Sequence, residues 1–192
     1  MNRLATAALL CSALWVQDTP APAQPDWHRS PQHWNVEVDG DTRLALQGYD
    51  PVAYFPEGGG QPAEGKEKII AVHGGITYRF AGDAHRKLFV ADPWKYEPAY
   101  GGWCAYAMAE GEKVDVDPES FRILDGRLFV FYDGLFADTR KKWLADEAAL
   151  LTKADAAWPK LSGEKNRGDA ARRAAQAAVE PEPATGASPK GD

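Results

Sequence analysis

Three pairs of short alternating runs, each pair parted by a glycine-bearing turn, constrain this chain more than any other feature of it. Asn35-Val-Glu-Val38 and Arg43-Leu-Ala-Leu46 flank Asp39-Gly40, residues 68–72 and 76–80 flank His73-Gly74-Gly75, and Phe121-Arg-Ile-Leu124 and Arg127-Leu-Phe-Val-Phe131 flank Asp125-Gly126. Apolar and polar side chains alternating with a period of two mark half-buried strands, and Asp-Gly suits the positive φ angles of a type I′ turn. Such pairs close locally as antiparallel hairpins. Strand-helix-strand alternation, which a parallel sheet requires, is missing, so the expected class is α+β: a small antiparallel sheet of hairpins, short helices, and a C-terminal helical segment.

Helix signals lie between the hairpins. Asp50-Pro51 offers a capping side chain and then a proline whose missing N–H costs nothing at the first helical position, which predicts one or two turns placing Tyr49, Val52 and Phe55 against the core. Asp83 is expected to cap a helix burying Leu88 and Phe89, with Asp92-Pro93 stopping it. From Leu135 onward, Phe136, Trp143, Leu150, Leu151, Ala154 and Trp158 recur at helical spacing; Asp146 marks a break, and Pro159 is expected to end the run. Residues 57–65 hold four glycines but no G-x-x-x-x-G-K frame, so they read as a loop and not a phosphate cradle. Asp115 and Asp117 alternate with valines and lack the glycine and terminal Glu of an EF-hand loop; they are expected on the solvent face of a strand.

Both ends of the chain differ from its middle. Arg3 precedes an apolar run from Leu4 to Val16, and Ala21-Pro22-Ala23 supplies small residues for cleavage, so residues 1–23 read as a signal peptide too short in its apolar part to span a bilayer. Export to the periplasm or beyond is the expectation. Residues 24–34 read as an irregular lead-in, residues 35–161 as the folded domain, and residues 162–192, rich in Ala, Pro and balanced charge, as a disordered tail. The formal net charge is −6 with no basic stripe, which excludes a nucleic-acid partner of the usual electrostatic kind.

Cleavage removes Cys11 and leaves Cys104 as the single thiol, unable to form an internal disulfide. It lies in Pro98-Ala-Tyr-Gly-Gly-Trp-Cys-Ala-Tyr-Ala-Met108, where the glycine pair predicts a tight turn feeding a short buried helix. Cys104 and Met108, four apart, share one helical face and suit a soft metal ion; equally, both are common core fillers. The alternatives stay open at this point.

Gly48-Tyr-Asp-Pro-Val-Ala-Tyr-Phe55, Ile76-Thr-Tyr-Arg-Phe80, Phe89-x-x-Asp-Pro93 with Tyr96, Tyr100-Gly-Gly-Trp-Cys-Ala105, Asp117-Pro118 and Asp125-Gly-Arg-Leu-Phe129 together resemble the exported, single-copy YHS domain proteins of bacteria. The likeness runs from about Val38 to Leu161. It implies a small binding module and singles out Tyr49, Asp50, Pro51, Tyr100, Gly101, Gly102 and Trp103 as ligand or structural motif residues. In metal-associated relatives the strand matching Tyr78–Phe80 is followed by two cysteines four apart; here those places hold Ala81 and His85, so the implied site shifts to Cys104, Met108 and His85.

Two readings of function follow. One is an exported module that binds a soft transition metal, copper or zinc, near Cys104. The other is a small-ligand or protein-interaction domain with a buried structural Cys104, in which Tyr49, Tyr54, Trp94, Tyr96, Tyr100, Trp103 and Tyr106 converge on a cleft. No G-x-S-x-G, H-E-x-x-H or C-x-x-C frame is present, so an enzyme is not expected.

Overall fold

The computed structural model describes residues 31–135 and 137–164; residues 1–23, read above as a signal peptide, most of the expected lead-in and most of the expected tail lie outside them. The α+β class is as expected. The first hairpin is β1 (Val36–Asp39) with β2 (Thr42–Ala45), and the second is β3 (Lys66–His73) with β4 (Ile76–Phe80). Both are antiparallel, and a short parallel contact at Leu44 and Thr77 joins them into one sheet of order β1-β2-β4-β3. The third hairpin, β5 (Asp117–Leu124) with β6 (Arg127–Phe131), stands apart as its own sheet, its turn carrying positive φ at both Asp125 and Gly126. A two-residue pair, β7 (Asp133–Gly134) with β8 (Ala137–Asp138), follows it.

Among the described residues the α-helices are α1 (Asp83–Ala91), α2 (Pro93–Tyr96), α3 (Ala105–Ala109), α4 (Thr139–Ala145) and α5 (Glu147–Ser162). One core spans both sheets and the helices: Ile76, Tyr78 and Phe80 from β4, Leu128 to Phe131 from β6, and Met108, Trp143 and Trp158 from the helices are buried together. Among the described residues no helix is long and apolar enough to cross a membrane.

Five expectations need correction, the first being that Asp83 is the opening residue of α1 and makes no side-chain cap, the cap position being Gly82. The Asp50-Pro51 segment is a run of turns and not a helix, because the Asp50 side chain is drawn to other partners described below. In α1 only Phe89 is buried; Leu88 is exposed, since the helix rests on the sheet along a single narrow stripe. Pro159 sits inside α5, which runs one turn further to a left-handed Gly163. Residues 112–116 form no strand, and Asp115 instead accepts from the Asn35 side-chain amide at 2.9 Å.

The chain ends of the described region are pinned by polar contacts. Trp34 is buried, and its indole N–H donates to Glu164 Oε1 at 2.9 Å, while Glu164 N donates to Ser162 Oγ at 3.0 Å. Both meet at the diglycine turn. Asn35 N donates to the Gly101 carbonyl at 2.9 Å, and a Cβ on Gly101, whose φ is +61°, would lie 2.9 Å from the Trp158 ring and 3.1 Å from that of Trp34.

Candidate functional site

Asp50 is an acid held in the interior by three donors. Fully buried, it accepts from Val52 N at 2.9 Å through Oδ1, and through Oδ2 from Ala81 N at 2.7 Å and His85 Nδ1 at 2.6 Å. A carboxylate with several donors offsets the cost of its burial only while all of them stay in place. Ala81 and His85 are therefore tied to one carboxylate, the first through its backbone and the second through its imidazole. Pro51 is buried beside Asp50, and Tyr49 lies partly buried with its hydroxyl donating to Glu119 Oε1 at 3.1 Å.

Cys104 is fully buried at the entrance to α3, and Met108 N donates to its carbonyl at 2.9 Å, so the two side chains do share a face. The sulfur's polar neighbours are the Tyr132 amide and Thr139 Oγ1, both at 3.4 Å. Thr139 Oγ1 itself donates to the Tyr132 carbonyl at 2.7 Å, which commits the hydroxyl's one proton. With that proton committed, the Cys104 S–H is the donor toward Thr139. A metal would need the thiolate, with loss of that contact. His85 makes no hydrogen bond to Cys104, and among the described residues no three His, Cys, Asp or Glu side chains form a group able to hold an ion.

The remaining motif residues serve the fold. Tyr100 is buried in a left-handed conformation at φ +54°, and its hydroxyl donates to Asp155 Oδ1 at 2.8 Å, where Arg127 holds both Asp155 oxygens at 2.9 and 3.2 Å. Burial first, and then Asp155, pushes the Tyr100 hydroxyl well above the ordinary tyrosine range, with Arg127 opposing. Gly102 accepts from the Asn35 side chain at 3.1 Å, and the Trp103 indole donates to the His33 carbonyl at 2.6 Å. A second carboxylate–imidazole cluster sits below the main sheet: buried Glu97 takes the His73 Nδ1 at 2.9 Å and the Tyr78 hydroxyl at 2.8 Å on one oxygen.

An open cleft of about 730 Å³ lies between the turn after Asp50 and the outer side of β5. Tyr54, almost wholly buried, forms its base; its hydroxyl donates to the Pro118 carbonyl at 3.0 Å, and Phe121 meets its ring edge-on at 5.0 Å. One wall is the loop of residues 56–62. Its Gly58 and Gly60 amides donate to the Phe55 carbonyl and Gln61 N to that of Ala53, so the amides are spent internally and do not cradle a phosphate. Glu57 anchors this wall to α2 through Lys95 and the Tyr96 hydroxyl, and the Lys95 ammonium holds the Glu57 carboxyl below its usual range. The facing wall contributes Arg122 and Arg140.

The aromatic convergence expected from sequence does not form. Of the seven side chains named for it, Tyr54 lines the cleft, Tyr49 and Tyr96 bond to Glu119 and Glu57 of its lining and wall, and Tyr100 and Trp103 turn to partners elsewhere. Phe121, Arg122 and Arg140 carry no motif and were not singled out; the one signal was Arg140-Lys141-Lys142, three consecutive bases in an acidic chain. No family model, no curated protein and no solved structure matches the chain.

Proposed function

We propose that the chain is a non-catalytic, YHS-like binding module, exported to the periplasm or beyond, whose working surface is the cleft over Tyr54 and Phe121 and whose Cys104 is a structural core thiol. One observation carries this reading. The cleft is a concave surface, walled by a loop whose backbone bonds are satisfied internally, on which Phe121 and the edge of Tyr54 lie beside the convergent polar groups Glu119, Arg122 and Arg140. Cys104, the alternative centre, is sealed from solvent with its S–H donated to Thr139.

The two centres are separated by titrating the full chain with a neutral aromatic probe, benzyl alcohol, and independently with Cu(I) and Zn(II). Backbone NMR shifts at Gly60, Gln61 and Ile123 on addition of the alcohol, with no stoichiometric metal uptake, are expected. Uptake of one copper or zinc per chain that Cys104→Ser abolishes would return the function to the sulfur and remove the cleft from its central place.

A further inference from the structure

We infer that the cleft selects an acid: a small molecule with an aromatic or apolar body and a carboxylate held by Arg140 with help from Arg122. The inference rests on the cleft being the working surface and adds the class of its ligand. Its starting point is the run Arg140-Lys141-Lys142 at the head of α4. Lys141 is paired with Asp138 at 3.1 Å, and Lys142 lies over the Tyr106 ring, 5.5 Å from its centroid. Arg140 makes no hydrogen bond or ion pair with any described residue, contributing only a weak pull that helps keep Asp138 ionised, and it is the member of the run that lines the cleft.

Arg122, in the same lining, is already matched: Glu147 meets its Nε at 3.2 Å and its Nη2 at 3.5 Å while also accepting from the Trp143 indole at 3.1 Å. That pairing holds the guanidinium in place and leaves Nη1 outside it. Glu119 is the one opposing charge in the lining, and Tyr49 donates to it at 3.1 Å. Arg122 is balanced by Glu147 outside the lining, whereas Arg140 has no hydrogen bond or ion pair among the described residues beyond its weak pull on Asp138. A guanidinium fork matches a carboxylate in plane and spacing, and the ring of an aryl acid would lie against Tyr54 and Phe121.

The test uses the full chain with benzoate, its neutral isostere benzamide, and phenyl phosphate, read by NMR shifts at Gly60, Gln61 and Ile123. Benzoate is expected to bind about tenfold or more tightly than benzamide, as one charge-assisted pair against a neutral one implies. Arg140→Gln is expected to erase that preference while leaving benzamide binding intact, Arg140→Lys to restore part of it, and Glu119→Gln to tighten benzoate. Equal binding of benzoate and benzamide, or a preference that survives Arg140→Gln, overturns the inference and leaves the cleft standing. Phenyl phosphate outcompeting benzoate tenfold overturns the choice of carboxylate. No response at the cleft amides to any of the three overturns the cleft reading as well.

Discussion

A single carboxyl group, Asp50, shows how far one residue can depart from its local signal. Next to Pro51 it has the form of a helix cap, yet its oxygens are taken by Val52 N, by Ala81 N at the end of β4, and by His85 in α1. Two of these donors are more than thirty positions away, so no window of sequence reveals them. Removing one member of a buried charged network strands the others without partners, which typically costs about 3–5 kcal/mol. Asp50→Ala is therefore expected to lose unfolding free energy in that range, read as a lower urea midpoint at unchanged denaturant slope, with Asp50→Asn milder because one oxygen still accepts. A loss below about 1 kcal/mol in the alanine variant would mean that water replaces the carboxylate and that the node is dispensable. Cys104 gives a second residue-scale expectation. With its sulfur sealed and its proton donated to Thr139, Cys104 in a Cys11→Ser chain should be labelled by maleimide only through unfolding, at a rate that rises with urea. Fast labelling without denaturant would contradict a core role.

Among the elements, the hairpins were legible in the sequence and the helices only in part, for a physical reason. A two-residue turn with glycine fixes both the φ signs and the register of its strands, so Gly74-Gly75 and Asp125-Gly126 declare β3–β4 and β5–β6 from a few adjacent residues. Helix limits depend on what packs nearby. Leu88 fits an amphipathic pattern yet faces solvent, and Pro159 is accommodated near the end of α5 where few further backbone bonds remain to be lost. The cleft was illegible because its residues come from the 54–62 turn, β5 and α4, which only the folded chain brings together. The diglycine turn was legible as a turn but not as a clamp between Trp34 and Trp158. Gly101→Ala combines a left-handed φ with a Cβ that would lie 2.9 Å from the Trp158 ring, and is expected to cost about 2 kcal/mol or more. The check is thermal unfolding followed by tryptophan fluorescence. A melting temperature within a degree of wild type would show that the two indoles move aside without penalty.

At the scale of the whole molecule, the buried tyrosine hydroxyls make stability depend on pH in a direction that follows from their surroundings. Tyr54 sits beneath the cleft with its hydroxyl on the Pro118 carbonyl, and Tyr100 sits on Asp155 at the other side of the core. Burial raises both above the ordinary tyrosine range; nearby acids and Tyr49 add to the effect at Tyr54, and Arg127 subtracts from it at Tyr100. An unfolded tyrosine releases its proton near pH 10. Below that value both states are protonated and these groups contribute no pH dependence. Above it the folded chain holds more protons than the unfolded one, so stability falls as pH rises, by up to about 1.4 kcal/mol per pH unit for each such group. Urea midpoints measured from pH 9 to pH 11.5 should therefore decline with a slope that steepens past pH 10. Tyr54→Phe is expected to make that decline shallower without erasing it, because Tyr100 still contributes. An unchanged slope in Tyr54→Phe would mean that the base of the cleft admits enough water to solvate a phenolate, and that the aromatic floor is not the dry surface on which an aryl acid is supposed to rest.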